Sequence, residues 1–281
     1  MAPTAGLSFK PVHFEQALAC SAAGLWFAIH AENYMVDGGP RLAMLEALRA
    51  RHPLSVHGVG LSLAGADAPD RLQLLGLKRL IDRFEPFLVS EHLAWSRNGD
   101  ICFPDLLPFP RTTEALRIIT RNIDIAQDVL GRPILIENPS LYLRLQGHEW
   151  AESEFLAEIA SRTGCGLLID INNVFVSANN LGFSARSYLD ALPCAAIGEI
   201  HLAGHGEDPA LGRRLLIDSH DAPVSEEVWD LYAWMLARCG SRRPPTLIER
   251  DDDIPEFAVL FAERERAATM MGATARAAAD G

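Results

Sequence analysis

Residues 166–174 read GLLIDINNV, a run of bulky aliphatic side chains that ends on Asp170 and a pair of asparagines. A strand covered on both faces of a parallel sheet has this continuous apolar character, without alternation. The same form recurs along the chain, in GLWFAIH (24–30), LSVHGVGL (54–61), FLVSEHLAW (87–95), PILIENP (133–139), IGEIHLAG (197–204), RLLIDSH (214–220) and TLIERD (246–251). Helical patterns separate most of these runs. Residues 70–83 place Leu72, Leu75 and Ile81 near one face. Residues 112–130 open on Thr112-Thr113-Glu114 and stop before Gly131 and Pro133. Residues 151–163 stop at Gly164; residues 225–239 open on Ser225-Glu226-Glu227 and stop at Gly240. Hydroxyl caps and first-turn acids at one end, and glycine at the other, are helix start and stop signals. Eight strands alternating with helices predict an α/β fold, a (β/α)8 barrel, as a single domain over residues 1–281. Residues 205–213 are too short for a crossover helix and mark the one departure. The Ala-rich end, 268–281, reads as a fraying extension. An open doubly wound sheet is the second candidate. No G-x-G-x-x-G turn follows the first run, which disfavours a dinucleotide-binding version.

The 281 residues include 25 Lys and Arg against 37 Asp and Glu, a formal charge of −12, with 49% hydrophobic residues. This composition excludes a disordered or collagen-like chain. The acid excess disfavours a non-specific nucleic-acid binder, which needs surplus Lys and Arg against phosphate. No apolar run reaches the roughly 18 residues of a bilayer span. MAPTAGLSFK at the start lacks the basic and apolar segments of a signal peptide, so a cytoplasmic protein without membrane attachment is expected. Cys20, Cys102, Cys165, Cys194 and Cys239 are scattered and form no C-x-x-C pair. They read as reduced thiols, mostly small buried apolar residues.

The chemistry lies at the C-terminal ends of the runs. These carry His57; Glu91 and His92; Glu137 and Asn138; Asp170, Asn172 and Asn173; Glu199 and His201, with His205 beyond; Asp218 and His220; and Glu249, Arg250 and Asp251. In a barrel such ends converge on the face that holds active sites. Residues two apart on a strand share a face, which aligns Glu199 with His201 and Asp218 with His220. Acids and imidazoles at the ends of apolar strands are costly unless paired or metal-bound. Four carboxylates and four imidazoles exceed the protein ligands of a single catalytic metal, so two or three ions are inferred. His13, His30, His52 and His148 fall outside the pattern and read as surface or packing residues. No G-x-S-x-G elbow or Walker loop occurs, and Cys102 has no base nearby in sequence.

These residues resemble two known groups. The broader resemblance is to xylose-isomerase-like barrels, above all the trinuclear metal arrangement of endonuclease IV. It implies ligands in the order His57, His92, Glu137, Asp170, His201, Glu249, with Asp218 and His220 on a third ion and Glu137 as bridge. Where that enzyme has a third-ion histidine, this chain has Asn173. The closer resemblance is to a bacterial family catalogued as a domain of unknown function, of the UPF0276 type. It rests on HGVGLSLAG (57–65), SEHLAW (90–95), DLLPFP (105–110), IENPS (136–140), LIDINNVFVSANN (168–180), GEIHLAGH (198–205), IDSHDAPV (217–224) and LIERDDDIP (247–255). One variation is Arg111 after DLLPFP, where the family more often has Tyr. The resemblance implies a multinuclear non-haem iron enzyme, with two or three ions of mixed Fe2+/Fe3+ state and O2 as co-substrate. It implies oxidation of a cysteine in a ribosomally made precursor peptide, with a small partner protein forming a heterodimer. Glu137, Asp170, His201 and Glu249 would surround the reacting ion. Glu91, Asn138, His205, Arg250 and Asp251 are candidates for outer or substrate contacts. The competing expectations are a zinc phosphodiesterase on abasic DNA, a two-metal sugar isomerase and a non-catalytic metal binder. The charge of −12 and Asn173 disfavour the first, and the lack of a strand-end Lys disfavours the second.

Overall fold

The protein is described by a computed structural model over residues 3–99 and 101–279. Its strands are β1 (Ala5–Ser8), β2 (Phe27–His30), β3 (Leu54–Gly58), β4 (Leu88–His92), β5 (Trp95–Asn98), β6 (Ile101–Leu107), β7 (Leu135–Glu137), β8 (Gly166–Asp170), β9 (Ile197–Leu202), β10 (Gly206–Asp208), β11 (Gly212–Ile217) and β12 (Thr246–Ile248). Its helices are α1 (Phe14–Ala19), α2 (Pro40–Arg49), α3 (Arg71–Phe84), α4 (Thr113–Leu130), α5 (Glu152–Thr163), α6 (Ile171–Leu181), α7 (Ala185–Ala191), α8 (Glu226–Cys239) and α9 (Phe257–Ala279). Eight strands form a closed parallel barrel in the order β1-β12-β9-β8-β7-β4-β3-β2. No helix is long and apolar enough to cross a membrane, among the described residues.

The chain divides into two compact units. One comprises Met1–Ala28, Ser140–Arg144 and Ile169–Gly281; the other comprises Ile29–Pro139 and Leu145–Leu168. Within the second unit β3 pairs β4, β4 pairs β7 and β7 pairs β8. The register sets His57 beside Ser90 and His92 beside Glu137. Within the first unit β1 lies between β12 and β2, and His201 on β9 stands beside Leu247 on β12.

Several expectations need correction. The first barrel strand is β1, whose sequence Ala-Gly-Leu-Ser has a single bulky apolar side chain and gives little signal. Gly6 is required there, because a Cβ would sit 2.4 Å from the buried Trp26 indole. The run 214–220 is not a barrel strand. Its first four residues, 214–217, belong to β11, which forms the second half of an antiparallel hairpin with β10. Arg213 and Arg214 in β11 are exposed, which a strand covered on both faces does not allow. This hairpin stands where no crossover helix fitted. The run 166–174 is strand only to Asp170, whose Oδ1 accepts the Asn173 N–H at 2.7 Å and starts α6 without a linker.

Helices α4, α5 and α8 follow their capping signals, with Thr112 and Ser225 as N-caps and Gly131 and Gly164 left-handed at the C-termini of α4 and α5. Of the face expected of α3, Ile81 is buried, with Leu74, Leu77, Leu80 and Phe84, whereas Leu72 and Leu75 are 78% and 37% exposed. The Ala-rich end continues α9 as helix to Ala279, with Met271 buried, while 280–281 lie outside the described residues.

Candidate metal centre

In the second unit, three neighbouring strands end in side chains of the types that can ligate a metal. His57 Nε2 and His92 Nδ1 both lie 3.2 Å from Glu137 Oε2. The two imidazole rings meet edge to face with centroids 4.6 Å apart. The three offer ligand atoms within 4.8 Å of one another, and His57 and Glu137 are buried. The other nitrogen of His57, Nδ1, is 2.8 Å from Ser90 Oγ, which fixes the ring with Nε2 toward the carboxylate. A ligating imidazole is usually held this way by a second hydrogen bond. His30 packs its ring 5.8 Å from that of His57.

Glu91 points elsewhere. It is fully enclosed beneath the chain that follows β3, where a Cβ on Gly58 would come within 2.3 Å of its Oε2. The backbone N–H groups of Leu61 and His92 face its carboxylate. Burial, then the charge of Glu32, holds its pKa well above the ordinary carboxylate range. Glu32 Oε1 accepts the Val59 N–H at 3.1 Å, so two acids brace the turn beyond His57. Asn138, next to Glu137, is completely buried.

In the first unit, Asp170, His220 and Glu249 bring ligand atoms within 4.8 Å of one another. His201 Nδ1 lies 3.1 Å from Glu249 Oε2, and its Nε2 lies 3.4 Å from Glu199 Oε1. Glu199 and His201 thus share a face of β9, as the two-residue spacing predicts. Asp218 and His220 also meet, at 2.8 Å from Oδ1 to Nε2, but by another route. Both lie beyond β11, and His220 takes a left-handed backbone with φ of 51°. A turn, rather than strand alternation, brings them together. His220 Nδ1 is 3.0 Å from Asp251 Oδ2, and Asp251 Oδ1 is held by Lys10 at 2.7 Å. His205 Nδ1 meets Asn172 Oδ1 at 2.8 Å, and Asn172 Nδ2 donates to Asp218 Oδ1 at 2.8 Å. Asn173 is buried in the first turn of α6. Arg250 is 4% exposed, donates to the Asp221 carbonyl and stands 3.7 Å from Glu263, so it braces α9.

The electrostatics follow from burial. Burial and then the charge of Asp218 push Asp170 up to about 7. His201 and His220 are raised well above the ordinary imidazole value: burial opposes this, but Glu249 and Glu199 act on the first and Asp218 and Asp251 on the second. Burial and Asp251 press Glu249 upward, yet His201 and His220 hold it well below the carboxylate range. Without a cation, protons must neutralise these groups. A divalent or trivalent ion does the same work, and the mixed imidazole and carboxylate donors suit iron, zinc or manganese. The residues present therefore fit a metal ion.

Sequence reasoning did not single out Ser90, Lys10 or Tyr142, whose hydroxyl accepts the Asp218 N–H at 3.1 Å. Ser90 alternates with His92 on β4, but only the register shows that it faces His57. Arg111 acquires a structural role. Its N–H donates to His148 Nδ1, its Nε to the Trp150 carbonyl, and its guanidinium pairs with Glu152 at 3.3 Å, tying down the start of α5. His13 packs against Phe257, and His52 is buried.

Fold and donor groups together define a closed parallel α/β barrel with clustered histidines and carboxylates that could hold metal ions. The chain belongs to the family described as RiPP precursor modification enzyme MbnB/TglH/ChrH, whose model matches residues 4–272. A UPF0276 protein of Caulobacter vibrioides is 62% identical over 278 residues, covering 98% of each chain. A UPF0276 protein of Bordetella bronchiseptica is 53% identical over 268 residues, covering 95% of this chain and 92% of that protein. Among solved structures, L-ribulose 3-epimerase superposes with a TM-score of 0.62 at 12% identity, covering 100% of this chain and 96% of that one. Endonuclease IV from Thermus thermophilus gives 0.59 at 18% identity, covering 95% of this chain and 99% of that one. At these identities the structural likeness concerns the fold.

Proposed function

We propose that this protein is an iron- and O2-dependent oxidoreductase that modifies a cysteine of a ribosomally synthesised precursor peptide, together with a small partner protein. The observation that carries the reading is membership, over residues 4–272, in a family of RiPP precursor modification enzymes. The histidine and carboxylate donor sets support it. In this reading His57, His92 and Glu137 would hold one ion, Asp170, His201 and Glu249 a second, and Asp218 and His220, with Asn173 alongside, a third. When bound, iron supplies an open position for the substrate thiolate and electrons for O2 reduction. The chain's own residues do the rest. Ser90 keeps His57 Nε2 aimed, Asp251 turns His220, and Asn172 ties His205 to Asp218. Glu137, Asp170 and His201 are each at most 1% exposed, so little bulk water reaches their side chains.

The test is reconstitution under anaerobic conditions with ferrous iron and a Cys-containing precursor peptide and small partner protein chosen from the genes neighbouring its own, followed by O2. O2 uptake with a changed peptide mass at cysteine is expected, and zinc loading should abolish both. An unchanged peptide with the iron-loaded complex, or strong cleavage of an abasic DNA duplex by the zinc-loaded protein, would overturn the reading.

A further inference from the structure

Two cysteines that lie apart in sequence meet in the first unit. Cys194 opens the single turn before β9, and Cys239 is the last residue of α8. Their sulfur atoms are 2.8 Å apart, against about 2.0 Å in a disulfide bond. The pair is asymmetric. Cys194 is half-buried, whereas Cys239 is buried. Arg238 donates one N–H to Cys194 Sγ and two others, at 2.6 Å, to the Asp190 and Leu192 carbonyls. Those carbonyls hold the guanidinium in place, so a fixed cation donates its hydrogen bond to the Cys194 sulfur. Cys194 lies ahead of β9, at the end opposite His201, and neither sulfur belongs to the metal-ligand clusters.

We propose that Cys194 and Cys239 form a redox-active dithiol, a modification site distinct from the metal centre, that closes to a disulfide by exchange with a low-molecular-weight disulfide. Cys194 is the attacking thiol, being accessible and faced by Arg238. Its thiolate displaces one thiolate from the oxidant and forms a mixed disulfide. Cys239 then loses its proton to solvent and attacks Cys194 Sγ, expelling the second thiolate. Two protein thiols are oxidised, one small disulfide is reduced to two thiols, and two electrons pass. Burial and the neighbouring Cys194 push the Cys239 thiol up to about 12, in keeping with its place as the second, resolving sulfur.

The experiment treats the metal-loaded full chain with oxidised glutathione, quenches with acid, blocks free thiols with N-ethylmaleimide and maps the peptides by mass spectrometry. Wild type should yield a Cys194–Cys239 cross-link that dithiothreitol reverses. Cys239→Ser should retain glutathione on Cys194, and Cys194→Ser should leave Cys239 free for blocking. A wild-type protein with both residues fully blocked, or with glutathione on Cys194 beside a free Cys239, would overturn the proposal. The wild-type map decides even where a variant folds poorly.

Discussion

His57 presents Nε2 to Glu137 Oε2 at 3.2 Å while its opposite nitrogen rests on Ser90 Oγ at 2.8 Å. The imidazole is thereby aimed before any ion arrives. Ser90→Ala removes that aim without touching a ligand. Outer partners of this kind are worth about ten- to a hundred-fold in metal affinity. Chelator competition should show a loss of this size with an unchanged circular-dichroism spectrum; equal affinity would show that Ser90 does not orient the ring.

Asp218 and His220 hold each other and, through Asn172 and Asp251, two further side chains. His220→Ala or Asp218→Ala should lower bound iron by about one ion per chain, as expected when one ligand set of a multinuclear site is broken. Elemental analysis measures this, and unchanged stoichiometry would remove the pair from the ligand set.

Protonation couples to loading. His201 and His220 have raised pKa values, so in the metal-free protein each contributes stability below its unfolded value that is lost as pH rises through the folded one. Asp170, raised to about 7, acts in the same direction, because its ionised form is the disfavoured one. The metal-stripped protein should therefore lose stability between about pH 6 and 8 relative to the loaded protein. Ion binding at neutral pH should release protons, read with an indicator dye in weak buffer. Parallel melting curves and no proton release would contradict this.

Glu91 is an acid whose ionised form the fold disfavours. Its raised pKa makes ionisation costly above the unfolded value near 4.3. Glu91→Gln should equal or exceed wild type in melting temperature at about pH 8, and its advantage should vanish as pH falls toward 4. A variant destabilised equally at both pH values would show that the carboxylate is ionised and paired.

Gly6→Ala places a methyl group against Trp26. Overpacking of this kind costs about 1–3 kcal/mol, readable as a lower denaturation midpoint with unchanged slope.

Much of this was open to reading because buried parallel strands are continuous in character and because polar residues at their ends stand out against apolar neighbours. Glu137, Asp170, His201 and Glu249 declare themselves in that way. What stayed hidden depended on pairing or on turns. β1 carries one bulky apolar residue, and β11 has aliphatic residues but spends two positions on exposed arginine. The Ser90–His57 contact needs the register of two strands, and the Cys194–Cys239 contact needs a helix folded back over 45 residues. Spacing along one strand cannot supply either. The Asp218–His220 meeting agreed with the two-residue rule for the wrong reason, since a left-handed residue makes the turn.

The junction between β8 and α6 has no slack. Asp170 ends the strand, caps the helix with Oδ1 and stands among the donor groups with His220 and Glu249. One residue inserted after it would turn all of α6 by about 100° and part the carboxylate from the helix it starts. Length variation among natural relatives should therefore collect in the hairpins and outer loops and be missing at this joint. The helix also arrives with its partial positive end on the acid, so the backbone itself shares in neutralising the centre. Here a length constraint and an electrostatic one fall on a single peptide bond.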